Sequence, residues 1–157
     1  MAGDRLTHIG ICVADLSRSL AFYREGLSFR EVGRFSAGDE ATDNILEVED
    51  VQVEMVYLER DGFRIELLYY PSPGHVGSGE RRAMNALGLT HLSFAVDDLE
   101  RVGRAIEAAG GRVLEETRSV FKTGNRGLFA LDPDGTRIEL IERLGDLESV
   151  PGAQPDS

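Results

Sequence analysis

The sequence predicts an α+β fold built from two tandem βαβββ modules, each a mixed β-sheet with flanking helices. Three observations carry this prediction: a strand-like stretch that occurs twice, a helix opener after each copy, and a hairpin signature that also recurs. Thr7-His8-Ile9-Gly10-Ile11-Cys12-Val13-Ala14-Asp15-Leu16 lies against Thr90-His91-Leu92-Ser93-Phe94-Ala95-Val96-Asp97-Asp98-Leu99. Asp61-Gly62-Phe63-Arg64-Ile65-Glu66-Leu67 lies against Asp134-Gly135-Thr136-Arg137-Ile138-Glu139-Leu140. The histidines are 83 residues apart and the glutamates 73, so the first half holds ten additional residues. The polar stretch 33–46 is the place for them. Two features in the same order with one insertion make an internal repeat.

Taken in order, residues 7–13 alternate as a strand with His8, Gly10 and Cys12 on one face. Asp15 is a helix N-cap, and Leu16, Leu20, Ala21, Tyr23 and Leu27 follow at helical spacing. Gly26 marks the reversal and Phe29–Val32 a short strand; 33–46 lacks periodicity and reads as a loop. Val51–Leu58 and Phe63–Tyr70 are strands joined through Asp61-Gly62, a hairpin signal. In the second half His91–Val96 is a strand, and Asp97 or Asp98 caps a helix ending at Gly110-Gly111. Arg112–Glu116, Gly127–Leu131 and Thr136–Ile141 complete the sheet around Asp132-Pro133-Asp134-Gly135. The modules span 5–70 and 88–143, with a Pro/Gly-rich linker at 71–87 and a flexible acidic tail at 144–157.

Composition narrows the function by exclusion. A formal charge of −11 argues against binding nucleic acid, which needs clustered cations. No apolar run reaches the roughly 20 residues of a membrane span, and no signal-peptide core opens the chain. The single cysteine, Cys12, excludes an intramolecular disulfide and suits a reducing compartment, so a soluble cytoplasmic protein is expected.

Each module carries one histidine at the start of its first strand and one glutamate on its last. Alone, Glu66 in Arg-Ile-Glu-Leu-Leu is equally a solvent-facing residue on a half-buried strand, and a lone histidine is ordinarily structural. The same pair occurring twice carries more weight. Related by a pseudo-twofold axis, two imidazoles and two carboxylates form a mixed N/O donor set suited to one divalent ion: Zn²⁺, Ni²⁺, Co²⁺, Fe²⁺ or Mn²⁺.

With its two His-led strands, Phe22-Tyr23 in the first helix and Asp132-Pro133-Asp134-Gly135 before Glu139, the chain resembles the vicinal oxygen chelate (VOC) superfamily. That group includes glyoxalase I, methylmalonyl-CoA epimerase, extradiol dioxygenases and bleomycin-resistance proteins. The resemblance covers residues 5–143. It implies paired βαβββ modules around a U-shaped cleft, with His8, Glu66, His91 and Glu139 as ligands of one metal. It further implies a metal-dependent lyase or isomerase of the glyoxalase type, moving a proton next to a carbonyl through a metal-stabilised enediolate or enolate. The substrate would be a small molecule with vicinal oxygens, a thiol conjugate being one form, and the protein a homodimer. The modules then pair either within one chain or between two.

Glu139 or Glu66 could leave the metal to act as base. If both hairpins are type I turns with a glycine bulge, Glu66 faces Val56, Glu139 faces Phe129, and Glu54 joins the cleft side. Glu54 would then be a second base, as in the epimerase pattern; another turn type leaves it in solvent. Lys122–Arg126 resembles the epimerases' Gly-rich stretch, although those enzymes have glutamine where Glu66 stands, and an epimerase of 2-methyl acyl thioesters is the alternative reaction. Cys12 and Tyr70 stand where glyoxalase I enzymes hold glutathione with arginine and asparagine. Together with Phe129 and Arg126 they are the expected substrate-pocket residues, and Arg24 and Arg137 are further cations for an anionic substrate. Phe129 replaces the tyrosine that ring-cleaving dioxygenases need, and no histidine follows His91, which disfavours that chemistry. The reading from another class is a non-catalytic small-molecule binder of the antibiotic-resistance kind. Cys12 against Ala95, Tyr70 against Arg143 and Glu54 against Gly127 are the asymmetric pairs expected to choose the substrate.

Overall fold

Strand alternation and two aspartate caps build the same βαβββ unit twice. The computed structural model describes residues 3–143; the expected tail at 144–157 lies outside the described residues. The chain divides into two compact units between Glu80 and Arg81.

The first module runs β1 (Ile9–Val13), α1 (Leu16–Ala21), β2 (Arg30–Ala37), α2 (Glu40–Leu46), β3 (Gln52–Arg60) and β4 (Phe63–Ser72). Its sheet has the order β1-β4-β3-β2, with β1 parallel to β4 and the other pairs antiparallel. The Asp15 carboxylate accepts from the Arg18 N–H at 2.9 Å and starts α1. That helix continues into a π-helical turn, Phe22–Gly26, which carries Phe22 and Tyr23 into full burial. They share the core with Leu20, Leu27, Val56, Leu58, Ile65 and Leu67. Each such side chain contributes about 1.5–3 kcal/mol by leaving water.

The stretch expected to be a loop at 33–46 is instead the rest of β2 followed by α2. Asp39 caps α2 by accepting from the Thr42 N–H at 2.9 Å, and Asp43 accepts from the N–H groups of Asp50 and Val51. The helix escapes periodicity because it buries no residue of its own. Its end supplies Leu46, which with Val48, Leu68 and Tyr70 packs against the buried cluster of Val51, Val53 and Met55.

The second module runs β5 (His91–Val96), α3 (Leu99–Ala108), β6 (Arg112–Val120), β7 (Arg126–Leu131) and β8 (Arg137–Glu142), in the sheet order β5-β8-β7-β6. Asp98, rather than Asp97, caps α3 by accepting from Arg101 N–H, and Glu142 accepts from Leu99 N–H at 3.1 Å. Residues 121–125 join β6 to β7 where the first module has α2, which accounts for the ten-residue insertion. Among the described residues no helix is long and apolar enough to cross a membrane.

The two Asp-Gly hairpins are not alike. Asp61 and Gly62 both have positive φ, 52° and 77°, and close a two-residue turn with Arg60 opposite Phe63. Positive φ at both central residues is the type I′ geometry. Pro133 cannot take positive φ, so the second hairpin closes with three residues between Asp132 and Thr136, and only Gly135 is left-handed, at φ 89°. The buried Asp132 carboxylate accepts from the N–H groups of Asp134 and Thr136 at 2.9 and 2.7 Å. Glu66 therefore sits opposite Tyr57, not Val56, whereas Glu139 sits opposite Phe129 as expected.

Replacing Asp132 with alanine strands two backbone donors at this turn, so urea unfolding of D132A should show a loss of about 1–3 kcal/mol. An unchanged midpoint would remove the carboxylate from the account of this hairpin.

Candidate metal centre

Parallel pairing of the first and last strands brings each histidine to its glutamate. In the first module Gly10 is the register partner of Glu66, and His8, two residues earlier, lies on the same face. His8 Nε2 is 3.1 Å from Glu66 Oε2, and Nδ1 is hydrogen-bonded to Thr7 Oγ1 at 3.0 Å. In the second module Ser93 is the register partner of Glu139. His91 Nε2 lies 3.5 Å from Glu139 Oε2, with Nδ1 at 2.8 Å from Thr90 Oγ1.

The same residue types hold the same atoms in both modules. In the tautomer whose Nδ1 donates to the threonine oxygen, Nε2 turns a lone pair toward a carboxylate; in the other, the threonine donates to Nδ1 and Nε2 donates to the carboxylate. Two electron-rich atoms at such distances need a proton or a cation between them. Ligand atoms about 2.1 Å from one ion, at angles of 90–109°, lie about 3.0–3.4 Å apart. The observed 3.1 Å lies within that spacing and 3.5 Å lies 0.1 Å beyond it. The donor chemistry and the threonine-held imidazoles therefore suit a divalent ion. Candidate ligands gather as these two pairs; among the described residues no cluster of three or more forms.

Sequence reasoning missed what surrounds the glutamates. Tyr57 donates its hydroxyl to Glu66 and sets its ring edge-on to His8, with centroids 5.2 Å apart. The hydrogen bond to the Glu66 carboxylate, then burial, pushes the Tyr57 phenol up to about 12. Phe129 occupies the matching place in the second module, edge-on to His91 at 5.5 Å, and has no hydroxyl to give. There Ser93 Oγ donates to Glu139 Oε2 at 2.6 Å. The first module has Gly10 at the serine position. The Glu66 side chain is 10% exposed and that of Glu139 26%.

A pocket of about 360 Å³ opens beside this cluster, lined by Thr7, His8, Val32, Gly33, Tyr57 and Arg64. Cys12 and Tyr70 lie on the Glu66 face, and Tyr70 is pushed up by burial first, then by Cys12 and Glu66. Phe129 lies on the Glu139 face.

Two expected site residues are elsewhere. The type I′ turn shifts β3 by one residue, so Glu54 alternates with Val56 and Leu58 on the face away from Glu66. It adds to the negative field on Arg34 there, and in module terms Gly127 corresponds to Met55 rather than Glu54. Arg126 pairs in register with Glu142, on the face opposite Glu139, and its Nε donates to the Glu142 carboxylate at 2.5 Å. Arg137, by contrast, shares the Glu139 face, with its guanidinium carbon 5.8 Å from the Phe129 ring centroid.

Comparison with known proteins agrees with this fold. The model of the Glyoxalase/Bleomycin resistance protein/Dioxygenase superfamily matches residues 5–140. A probable lactoylglutathione lyase from Vibrio parahaemolyticus is 32% identical over 143 residues, covering 90% of this chain and 93% of the relative. The lactoylglutathione lyase of Haemophilus influenzae is 30% identical over 140 residues, covering 88% and 92%. The crystal structure of a glyoxalase family protein from Bacillus cereus superimposes with a TM-score of 0.77 at 23% identity, covering 92% of this chain and 99% of that one. The chain belongs to the Glyoxalase/Bleomycin resistance protein/Dioxygenase superfamily.

Proposed function

We propose that this protein is a divalent-metal-dependent, glyoxalase-like lyase or isomerase that moves a proton between adjacent carbons of a small molecule with vicinal oxygens. The observation that carries the reading is the His–Glu pair built twice, each imidazole oriented by its own threonine. Relatives named lactoylglutathione lyase point the same way. His8, Glu66, His91 and Glu139 are the proposed ligands, from both modules of one chain or from two chains of a homodimer. A zinc-, nickel-, cobalt-, iron- or manganese-type ion there would supply Lewis-acid polarisation of the two substrate oxygens.

The rest falls to the protein. Thr7 and Thr90 orient the imidazoles, and Tyr57 and Ser93 hold the two carboxylates. Glu139 or Glu66 takes the proton from the carbon next to the carbonyl and returns it to the neighbouring carbon, while a second proton passes between the two oxygens. No oxidant is needed and the carboxylate is regenerated. In a hemithioacetal this converts a 2-oxo-1-hydroxy thioether into a 2-hydroxy thioester. Cys12, Tyr70 and Phe129 are the proposed apolar contacts, and Arg137 the proposed cation for an anionic substituent. The 2-methyl acyl thioester alternative is weaker, because Glu54, its distinctive base, faces away from Glu66.

Three results test this reading. H8A and H91A should each weaken Zn²⁺ or Ni²⁺ binding by more than about 100-fold in chelator competition; undiminished binding by either variant removes that ligand. Metal-loaded wild type should wash deuterium into the α-proton of a 2-oxoaldehyde hemithioacetal, and E54Q should do so within about twofold of the wild-type rate. No exchange, with metal bound, would leave a binding protein. Finally, R137Q should lower kcat/KM for a carboxylate-bearing substrate by about 10–100-fold, the worth of one charge-assisted hydrogen bond, with metal affinity intact. Equal losses on a neutral substrate would assign Arg137 a structural part.

A further inference from the structure

The two modules repeat their ligands but not the hydroxyl that holds each glutamate. In module 2 the donor comes from the parallel neighbour, Ser93 on β5. In module 1 that position is Gly10, and the donor comes from the antiparallel neighbour, Tyr57 on β3. A Cβ built on Gly10 would lie 3.9 Å from Glu66 Oε2, so a serine oxygen there would reach the carboxylate, but also 3.1 Å from Leu68 Cδ1. In module 2 the antiparallel neighbour is Phe129, which packs on His91 as Tyr57 packs on His8. One ring and one hydroxyl serve each pair, and module 1 combines them in a single residue.

We infer that Tyr57 is the positioning residue for Glu66, its hydroxyl doing in module 1 what the Ser93 hydroxyl does for Glu139. The inference rests on the metal-site reading above and adds a residue to it. Tyr57 touches both proposed ligands of its module: its oxygen fixes the carboxylate and its ring edge limits rotation of the imidazole. Phe35, stacked on Tyr57 at 5.9 Å, holds the ring in turn. The two glutamates are thus held unequally.

The test uses the full chain and reads metal affinity by chelator competition, with urea unfolding of the same samples. Y57F should lose about 10–100-fold in Zn²⁺ affinity, the range for losing a group that orients a ligand, with little change in the unfolding midpoint. Adding G10S to Y57F should recover at least about tenfold, by restoring a hydroxyl from the other side. The mirror exchange serves as a second arm: S93G should weaken binding and S93G/F129Y should restore it. Y57F that binds as tightly as wild type overturns the inference. So does a loss that neither transfer recovers, because packing rather than the hydroxyl would then be responsible. Absence of metal binding by the wild type overturns the metal-enzyme reading itself, which separates the two failures.

Discussion

A parallel strand pair cannot be closed by a tight turn, and each module is shaped by that constraint. The chain leaves β1, passes through α1, β2, α2 and β3, and returns as β4 beside the strand where it started. The return brings residues nearly sixty positions apart into register, Gly10 with Glu66. Because side chains alternate, His8 then shares a face with Glu66. The second module repeats the arrangement with Ser93 and Glu139. Everything at the candidate site depends on that registration. A slip of one residue would put histidine and glutamate on opposite faces of the sheet.

Such a slip occurs in the neighbouring pair, and it marks where sequence reasoning stopped. The repeat, the caps at Asp15 and Asp98, and the strand bearing each glutamate follow from period and cap chemistry, which are local. The partner of Glu66 across β3 depends on the turn, and two Asp-Gly turns with similar flanks differ. Pro133 was the available signal: it excludes positive φ at its own position and with it a two-residue type I′ turn, and nothing excludes positive φ at Asp61. Assigning both hairpins one type hid Tyr57 and brought Glu54 to the wrong face. The helix at Glu40–Leu46 was hidden for another reason. It is held by Asp39 and Asp43 rather than by an apolar stripe, so no periodicity reports it.

Symmetric and asymmetric residues at the site answer to different demands. The Thr-His dipeptide and the glutamate recur without change in both modules. The residues that hold the glutamates need only deliver a hydroxyl, and they can do so from either adjacent strand. Repetition therefore constrains the histidine and glutamate more tightly than the residues that support them. The modules also differ in exposure here, with Glu66 opposite Tyr57 and 10% exposed and Glu139 beside Ser93 and 26% exposed.

The same asymmetry extends to charge. Arg64 and Arg137 hold equivalent places two residues before each glutamate, yet Arg64 is neutralised by Glu59 across the hairpin at 2.8 Å. The cross-strand partner of Arg137 is Leu131, and its guanidinium donates to the neutral carbonyl of Arg82 at 2.5 Å. A formal charge of −11 repels anions at long range, but at physiological salt that field decays within about 8 Å. Inside that distance the local arrangement decides. On the Glu139 face the register partner of both Arg112 and Arg137 is Leu131 rather than a carboxylate, and Arg137 stands on the strand that carries Glu139. Arg137 therefore offers its charge beside Glu139, the more exposed of the two glutamates.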